Sequence, residues 1–465
     1  MRVLVTGATG FVGRPLVKRL IEKGHEVEVL SRDSEAAAAV LPARCRVDGW
    51  HPREGVSLAH LEPLDAVIHL AGEGIADQRW TEQRKKALYN SRVETTRALV
   101  AALAELEQER RPKIFLCASA TGYYGDRGDE LLDETSSAGT GFLSNLCTNW
   151  EKEAFAAEPL DARTAVVRIG VVLGRDGGAL DKMLPPFRLG LGGRLGSGKQ
   201  WLSWIHRDDL VELFCFVLEN PGARGPINGV SPNPVTNADL TRELARVLRR
   251  PALFPVPAAA LKLAFGEMST VLFDSVRARP AAAEGLGFHF KFTDVGPALG
   301  EICGDLSHAL EREQWLPHPV EEMFAFFSDA HNLERITPPF VNFNVRGVST
   351  AKLQKDTTIN YSLRLHGFPV RWTSRIDDWT PNQRFVDSQT RGPYALWHHT
   401  HEFEPYDGGT IVRDRVRYRL PFGALGDLVA GAWVRSDLQR IFEYRRRQMM
   451  SLFPEDAVRE AWDEV

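Results

Sequence analysis

The first 23 residues, MRVLVTGATGFVGRPLVKRLIEK, constrain the fold more than any other stretch of the chain. A run at Val3-Leu4-Val5 leads into three glycines spaced Gly7-x-x-Gly10-x-x-Gly13, and an amphipathic helical pattern covers Phe11 to Leu20. Each glycine answers a separate steric demand: a tight exit from the strand, close backbone approach to a pyrophosphate, and close packing of helix on strand, with the helix N-terminus turned to the phosphates. Strand, glycine turn and helix in immediate succession are the context in which this spacing predicts a dinucleotide site.

Apolar runs at 2–6, 26–31, 66–70, 113–118 and 162–169 read as strands buried on both faces, and helical patterns at 81–107 and 144–157 lie between them. That alternation predicts an α/β doubly wound parallel sheet. From Gly174 onward proline and glycine thicken, with Pro185-Pro186 and then GLGGRLGSGK at 190–199, which predicts a loop-rich substrate region over the C-terminal edge of the sheet. The GSGK segment lacks the upstream glycine and the following Ser or Thr of a phosphate loop, and reads as an ordinary loop.

A chain of 465 residues is too long for one compact domain, and 43% hydrophobic with 25% charged residues describes a globular protein with ample core. Net charge is −4 with no basic block, which argues against a nucleic-acid partner. No apolar stretch reaches membrane-spanning length, and a strand beginning at Arg2 leaves no room for a signal peptide, so a cytoplasmic protein is expected. The five cysteines (Cys45, Cys117, Cys147, Cys215 and Cys303) are widely spaced and never paired as Cys-x-x-Cys, which argues against a disulfide framework and a structural zinc.

The glycine spacing within Thr6–Gly13 resembles the short-chain dehydrogenase/reductase superfamily, and its extended, epimerase-like branch in particular. Further landmarks of that branch follow in order: His69-Leu70-Ala71-Gly72, ASATGYYG at 118–125, Val167-Arg168-Ile169-Gly170 and WIHRDD at 204–209. The variants GYYG, LCTNWE and WIHRDD are similar to an uncharacterised family labelled nucleoside-diphosphate-sugar epimerase or cell-division-inhibitor-like. The resemblance covers residues 1–300, with 250–297 as a small C-terminal cap, and implies an NAD(P)-binding Rossmann domain acting on a small-molecule substrate. It implies cofactor contacts from Gly7, Thr9, Gly10, Phe11, Val12 and Gly13, from Asp48, after a predicted third strand, at the adenine, from Leu70, Ala71 and Gly72 along the ribose, and from Ala118 and Arg168. Members that use NAD carry an acidic residue at the end of the second strand; here Val29-Leu30-Ser31-Arg32 stands there, so Ser31 and Arg32 favour NADP(H) over NAD(H).

Superfamily members also place a Ser or Thr after the fourth main strand and a Tyr-x-x-x-Lys pair on the next helix, where a spacing of four puts both side chains on one face. That pair is missing. The polar residues nearest its place are Cys147 and Glu151, and the Ser/Thr position falls on Ala120 or Thr121, with Ser119 and Thr121 the available hydroxyls. A carboxylate raises rather than lowers a neighbouring thiol's pKa, so Cys147 with Glu151 would not reproduce Tyr/Lys chemistry. The catalytic candidates are Thr121, Tyr123, Tyr124, Cys147 and Glu151.

After Gly304 strand alternation dominates, at 357–365, 370–377, 384–390, 396–403 and 410–420, preceded by a strand at 306–314 and a helix from Val320 and closed by a long helix near 434–453. This order, with LPHPVEEMF at 316–324 and Phe327-Ser328-Asp329, resembles the SRPBCC or START-like helix-grip superfamily over residues 305–455. The resemblance implies an α+β domain whose curved sheet wraps the helix around a cavity for a small hydrophobic ligand. Phe340, Phe343, Tyr361, Trp372, Trp379, Trp397 and Trp433 are candidates to line it or to fill the core. Of His398, His399 and His401 only the last two share a strand face, and no carboxylate accompanies them at fixed spacing, so they read as polar strand histidines and no metal is expected. Arg445-Arg446-Arg447 reads as a solvated helix face. Two functions stay open: an NADP(H)-dependent oxidoreductase or epimerase coupled to a ligand-binding domain, or a nucleotide-binding redox or lipid sensor without turnover. Neither the substrate nor the oligomeric state follows from the sequence.

Overall fold

A computed structural model describes residues 1–51, 57–365 and 367–454. The chain divides into two compact units, Met1–Ala37 with Cys45–Asp305, and Ala38–Arg44 with the chain from Leu306 onward. The expected far boundary of the helix-grip domain, residue 455, lies outside the described residues.

The first unit is built on seven strands: β1 (Arg2–Thr6), β2 (Glu26–Ser31), β3 (Arg46–Gly49), β4 (Ala66–His69), β5 (Ile114–Ala120), β6 (Arg163–Ile169) and β7 (Gly225–Gly229). They form one parallel sheet in the order β7-β6-β5-β4-β1-β2-β3. Val3, Leu4 and Val5 are wholly buried because helices cover both faces, which is why these strands read as unbroken apolar runs. Helix α1 (Gly13–Glu22) buries Gly13, Leu16, Val17 and Leu20, the one-face spacing of an amphipathic helix. The strand order reverses between β1 and β4, and the crevice outside the carboxyl ends of such strands is where doubly wound sheets bind ligands. The buried Thr6 hydroxyl and His69 Nδ1, 2.6 Å apart, tie the ends of these two strands together, and burial pushes the His69 imidazole down to about 3.

Two local expectations are corrected. Asp48 lies within β3 rather than after it. The region after Gly174 is not all loop: Gly178–Arg188 is a helix that holds Pro185 and Pro186 near its C-terminal end. A proline costs most where its missing N–H breaks an interior helical bond, and here little helix remains beyond the pair.

The second unit is an antiparallel sheet of β8 (His308–Leu316), β9 (Asn344–Val348), β10 (Thr358–Leu365), β11 (Phe368–Thr380), β12 (Arg384–Arg391), β13 (Leu396–Tyr406) and β14 (Gly409–Arg419). The order is β8-β14-β13-β12-β11-β10-β9. A short helix, Val320–Phe327, and a long one, α2 (Ala424–Leu452), complete the unit; α2 begins ten residues before its expected start, and β9 is an addition. Leu438, Phe442 and Met449 of α2 are buried with inward sheet residues such as Tyr361, Trp372 and Val416. This is the helix-grip arrangement. No helix among the described residues is long and apolar enough to cross a membrane.

Candidate functional site

Gly7 has a φ of +71°, and a Cβ there would meet the Leu70 carbonyl and the Ala71 nitrogen, so only glycine lets β1 turn this close to the segment leaving β4. At Gly13 a Cβ would collide with the Gly7 carbonyl oxygen and the Ala8 backbone. Gly10 differs: its Cβ would meet only the Gly7 oxygen, at 3.2 Å. Phe11 lies under the segment Gly174–Gly178, with the Arg207 guanidinium 5.4 Å from its ring centre. At the end of β2 the Ser31 hydroxyl donates to the Asp33 carbonyl, and the Asp33 carboxylate accepts from the Ala36 amide at 2.9 Å, so this acid caps the next turn. Arg32 is exposed and pairs with no described residue.

The catalytic candidates lie around the end of β5. Thr121–Tyr124 is a turn of 3₁₀ helix, and Phe142–Phe155 is a helix whose buried face carries both Cys147 and Glu151. Glu151 is 6% exposed and held by three donors: the Ser119 hydroxyl at 2.6 Å and two nitrogens of Arg168, each at 2.9 Å. Arg168, itself 3% exposed, also donates to the Tyr124 hydroxyl at 3.1 Å and lies with its guanidinium carbon 3.5 Å from the Tyr123 ring centre. The two residues that the sequence assigned to separate tasks, Glu151 to catalysis and Arg168 to the cofactor, are therefore brought together in one buried ion pair. Removing either partner from such a pair costs about 3–5 kcal/mol, because the other is left charged and unpaired. Tyr124 donates to the Asn228 side chain at 2.7 Å, and burial pushes its phenol up to about 12. Burial, with Glu151 nearby, pushes the Cys147 thiol up to about 12. Thr121 and Tyr123 are half-buried, and their hydroxyls bond to no described residue.

In the second unit a cavity of about 150 Å³ lies between sheet and α2. Phe343, Tyr361, Trp372 and Trp397 line it, as do Leu363 and Leu365, which share one face of β10. Trp379 packs instead on Phe324 and Phe385, and Phe340 and Trp433 are exposed, so these three leave the list of lining candidates.

One wall of the cavity is polar, and it corrects two readings of the sequence, that no carboxylate accompanies the histidines and that Arg445 is solvated. Strand pairing sets Asp387 of β12 opposite His399 of β13, and His401 opposite Asp414 of β14, all pointing inward. The carboxylates missing from the local spacing come from the neighbouring strands. Arg445 is not solvated: it is largely buried, lines the same cavity and reaches both Asp414 oxygens at 3.4 Å. Arg445 and the two histidines hold the Asp414 carboxyl well below the usual carboxylate range despite its burial.

Comparisons with known proteins agree with this division. Residues 3–228 match the NAD dependent epimerase/dehydratase family, residues 256–302 a domain of unknown function, and residues 316–443 the polyketide cyclase/dehydrase and lipid transport family. The chain is 42% identical over 302 residues to the chloroplastic homologue of epimerase family protein SDR39U1 from Arabidopsis thaliana, a match spanning 65% of this chain and 86% of that protein. Among solved structures, the human epimerase family protein SDR39U1 (isoform 2) with NADPH is 37% identical, with a TM-score of 0.58 over 66% of this chain and all of that one. A nucleoside-diphosphate sugar epimerase from Corynebacterium glutamicum is 36% identical, with a TM-score of 0.52 over 65% of this chain and 58% of its own.

The glycine turn separates folding from binding. Gly13→Ala is expected to destabilise the first unit, read as a lower urea midpoint, because backbone atoms occupy the Cβ space. Gly10→Val is expected to lower that midpoint less than Gly13→Ala while abolishing nucleotide binding in a fluorescence titration, because its Cβ meets one backbone atom, at 3.2 Å, and the glycine spacing assigns this position the close approach to a pyrophosphate.

Proposed function

Since the chain belongs to the epimerase family that includes SDR39U1, we propose that its first unit binds NADP(H) and transfers hydride to or from a small substrate, with Tyr123 handling the proton. Tyr123 carries this reading. Of the five candidates, Glu151 is held in an ion pair, Cys147 is a buried thiol and the Tyr124 hydroxyl is engaged at both Asn228 and Arg168. Tyr123 keeps its hydroxyl unengaged on the turn that leaves β5, and Arg168 packed on its ring fixes its position. Thr121, two residues earlier, is the second unengaged hydroxyl and suits a substrate oxygen. Arg32 supports the phosphate-bearing cofactor: it has no partner among the described residues to give up, and Asp33 is turned into a cap rather than toward a ribose. The human relative was crystallised with NADPH.

A second reading has the nucleotide bound and never turned over. The positions nearest the missing Tyr/Lys pair favour it, since both are chemically closed. A panel of aldehydes, ketones and enones, followed by NADPH absorbance on the full chain, separates the two. Turnover that falls about a hundredfold or more in Tyr123→Phe is expected of the enzyme. NADPH that binds but is consumed with no member of the panel supports the sensor.

For the second unit the proposal is capture of one small hydrophobic molecule. A cavity of 150 Å³ accommodates roughly a single aromatic ring.

Two further outcomes are expected. NADPH should bind more tightly than NADH, and Arg32→Ala should remove the difference, worth about 1.5–3 kcal/mol for a charge-assisted contact to phosphate, in parallel titrations of both cofactors. An apolar fluorescent probe should bind the second unit saturably, and Leu363→Trp should weaken it by filling the cavity; non-saturable binding indifferent to that change would place the probe on the surface.

A further inference from the structure

We propose that the polar wall of the second unit's cavity is a divalent transition-metal site, with Asp387, His399 and His401 as ligands and Asp414 and Arg445 supporting them. The ligand atoms of the three residues lie within 4.8 Å of one another. His399 Nδ1 is 3.6 Å and His401 Nε2 3.4 Å from Asp387 Oδ1. Bonds of 2.0–2.1 Å in a tetrahedron put neighbouring donors roughly 3.3–3.4 Å apart, close to the two histidine–carboxylate separations.

The remaining atoms of these side chains are already directed elsewhere. Asp387 Oδ2 accepts from the Ser374 hydroxyl at 3.1 Å, which in turn accepts from the Trp372 indole, leaving Oδ1 turned to the histidines. His399 Nε2 pairs with Asp414 Oδ1 at 2.9 Å. His401 Nδ1 lies 2.8 Å from the same oxygen, though off the line a hydrogen bond needs. The Phe385 ring, stacked 4.2 Å from the His401 ring, limits how far that imidazole can rotate. A carboxylate behind each imidazole is the support that metal-bound histidines commonly have, because it fixes the tautomer and makes the outer nitrogen more basic.

Charge points the same way. Two neutral imidazoles have two N–H groups between them, yet all four ring nitrogens face carboxylate oxygens within 3.6 Å. His399 Nε2 is engaged with Asp414 and His401 Nδ1 lies beside the same oxygen, which leaves His399 Nδ1, His401 Nε2 and Asp387 Oδ1 facing one another. Arg445 offsets Asp414, and the two imidazoles face Asp387. A divalent ion meets that demand with three bonds. Three protein ligands leave a fourth position, and because all three line the cavity, that position opens toward any molecule in it.

The test uses the full chain and needs no organic ligand, so it stands apart from the cavity-binding reading. Chelator-treated protein is dialysed against Zn²⁺ or Co²⁺, and metal is counted against protein. About one equivalent is expected, with the visible absorption of tetrahedral Co²⁺ and a raised unfolding temperature. Asp387→Asn, His399→Gln and His401→Gln should each lose that equivalent, and Asp414→Asn should weaken it about 10–100-fold. His398→Ala, on the exposed side of the strand, should retain it. Retained NADPH binding and circular dichroism certify the variants as folded. Wild-type protein that takes up no stoichiometric Zn²⁺ or Co²⁺ would overturn the proposal and leave a proton-bridged cluster. Uptake undiminished in the three ligand variants would overturn it equally.

Discussion

A carboxylate withdrawn from water loses hydration worth several kcal/mol, and a protein can bury one only where cations or donors replace that hydration. This chain does so in the interior of both units. In the first, Glu151 is surrounded by Ser119 and Arg168, and Arg168 extends the network to Tyr124 and the face of Tyr123. The pair therefore ties the helix Phe142–Phe155 to β6 and fixes where the two tyrosines stand. In the second, Asp387 and Asp414 flank two imidazoles between three adjacent strands and α2. The polar interior decides the geometry of each candidate site, and the apolar core around it raises the cost of any other arrangement.

The fold was legible because its signals are local. Period-two and period-3.6 patterns, the three glycines and the turn residues each act within a dozen positions, so both architectures could be anticipated from residues 1–23 and from the alternation after Gly304. The polar sites were not legible, since their partners are far apart along the chain. Seventeen residues separate Glu151 from Arg168, and no spacing rule announces that they meet. The histidines looked unaccompanied because their carboxylates arrive through strand register, Asp387 from one side and Asp414 from the other. Arg445 was misread for the same reason: three consecutive arginines suggest solvent, yet on a helix they point in three directions, and one faced the cavity. A signal was available in principle. Inward alternation of His399 and His401 on a strand paired with two others containing inward aspartates marks a buried polar layer, once the pairing is known.

The loss of the Tyr/Lys pair also takes on a physical meaning. Replacing it did not leave a gap: Cys147 packs beneath the turn at Gly122, and Glu151 became the anchor for Arg168. That place now holds a buried thiol and a buried ion pair, and among the described residues the candidates with unengaged hydroxyls, Thr121 and Tyr123, stand on the turn itself.

The two strand orders assemble in different ways. In the first sheet β1 is central, and each later strand joins at an open edge, β2 and β3 on one side and β4 to β7 on the other. Such a sheet can grow as the chain is made, with no ladder reopened to admit a newcomer. In the second sheet β9 to β14 also pair in succession, but β8, its first strand, pairs only with β14, its last, about a hundred residues on. Closing so long a loop costs entropy that is recovered only when the ladder forms. The first unit can thus take shape strand by strand during synthesis, whereas the second keeps its opening strand unpaired in the sheet until β14 emerges, the strand that also brings Asp414 to the polar wall.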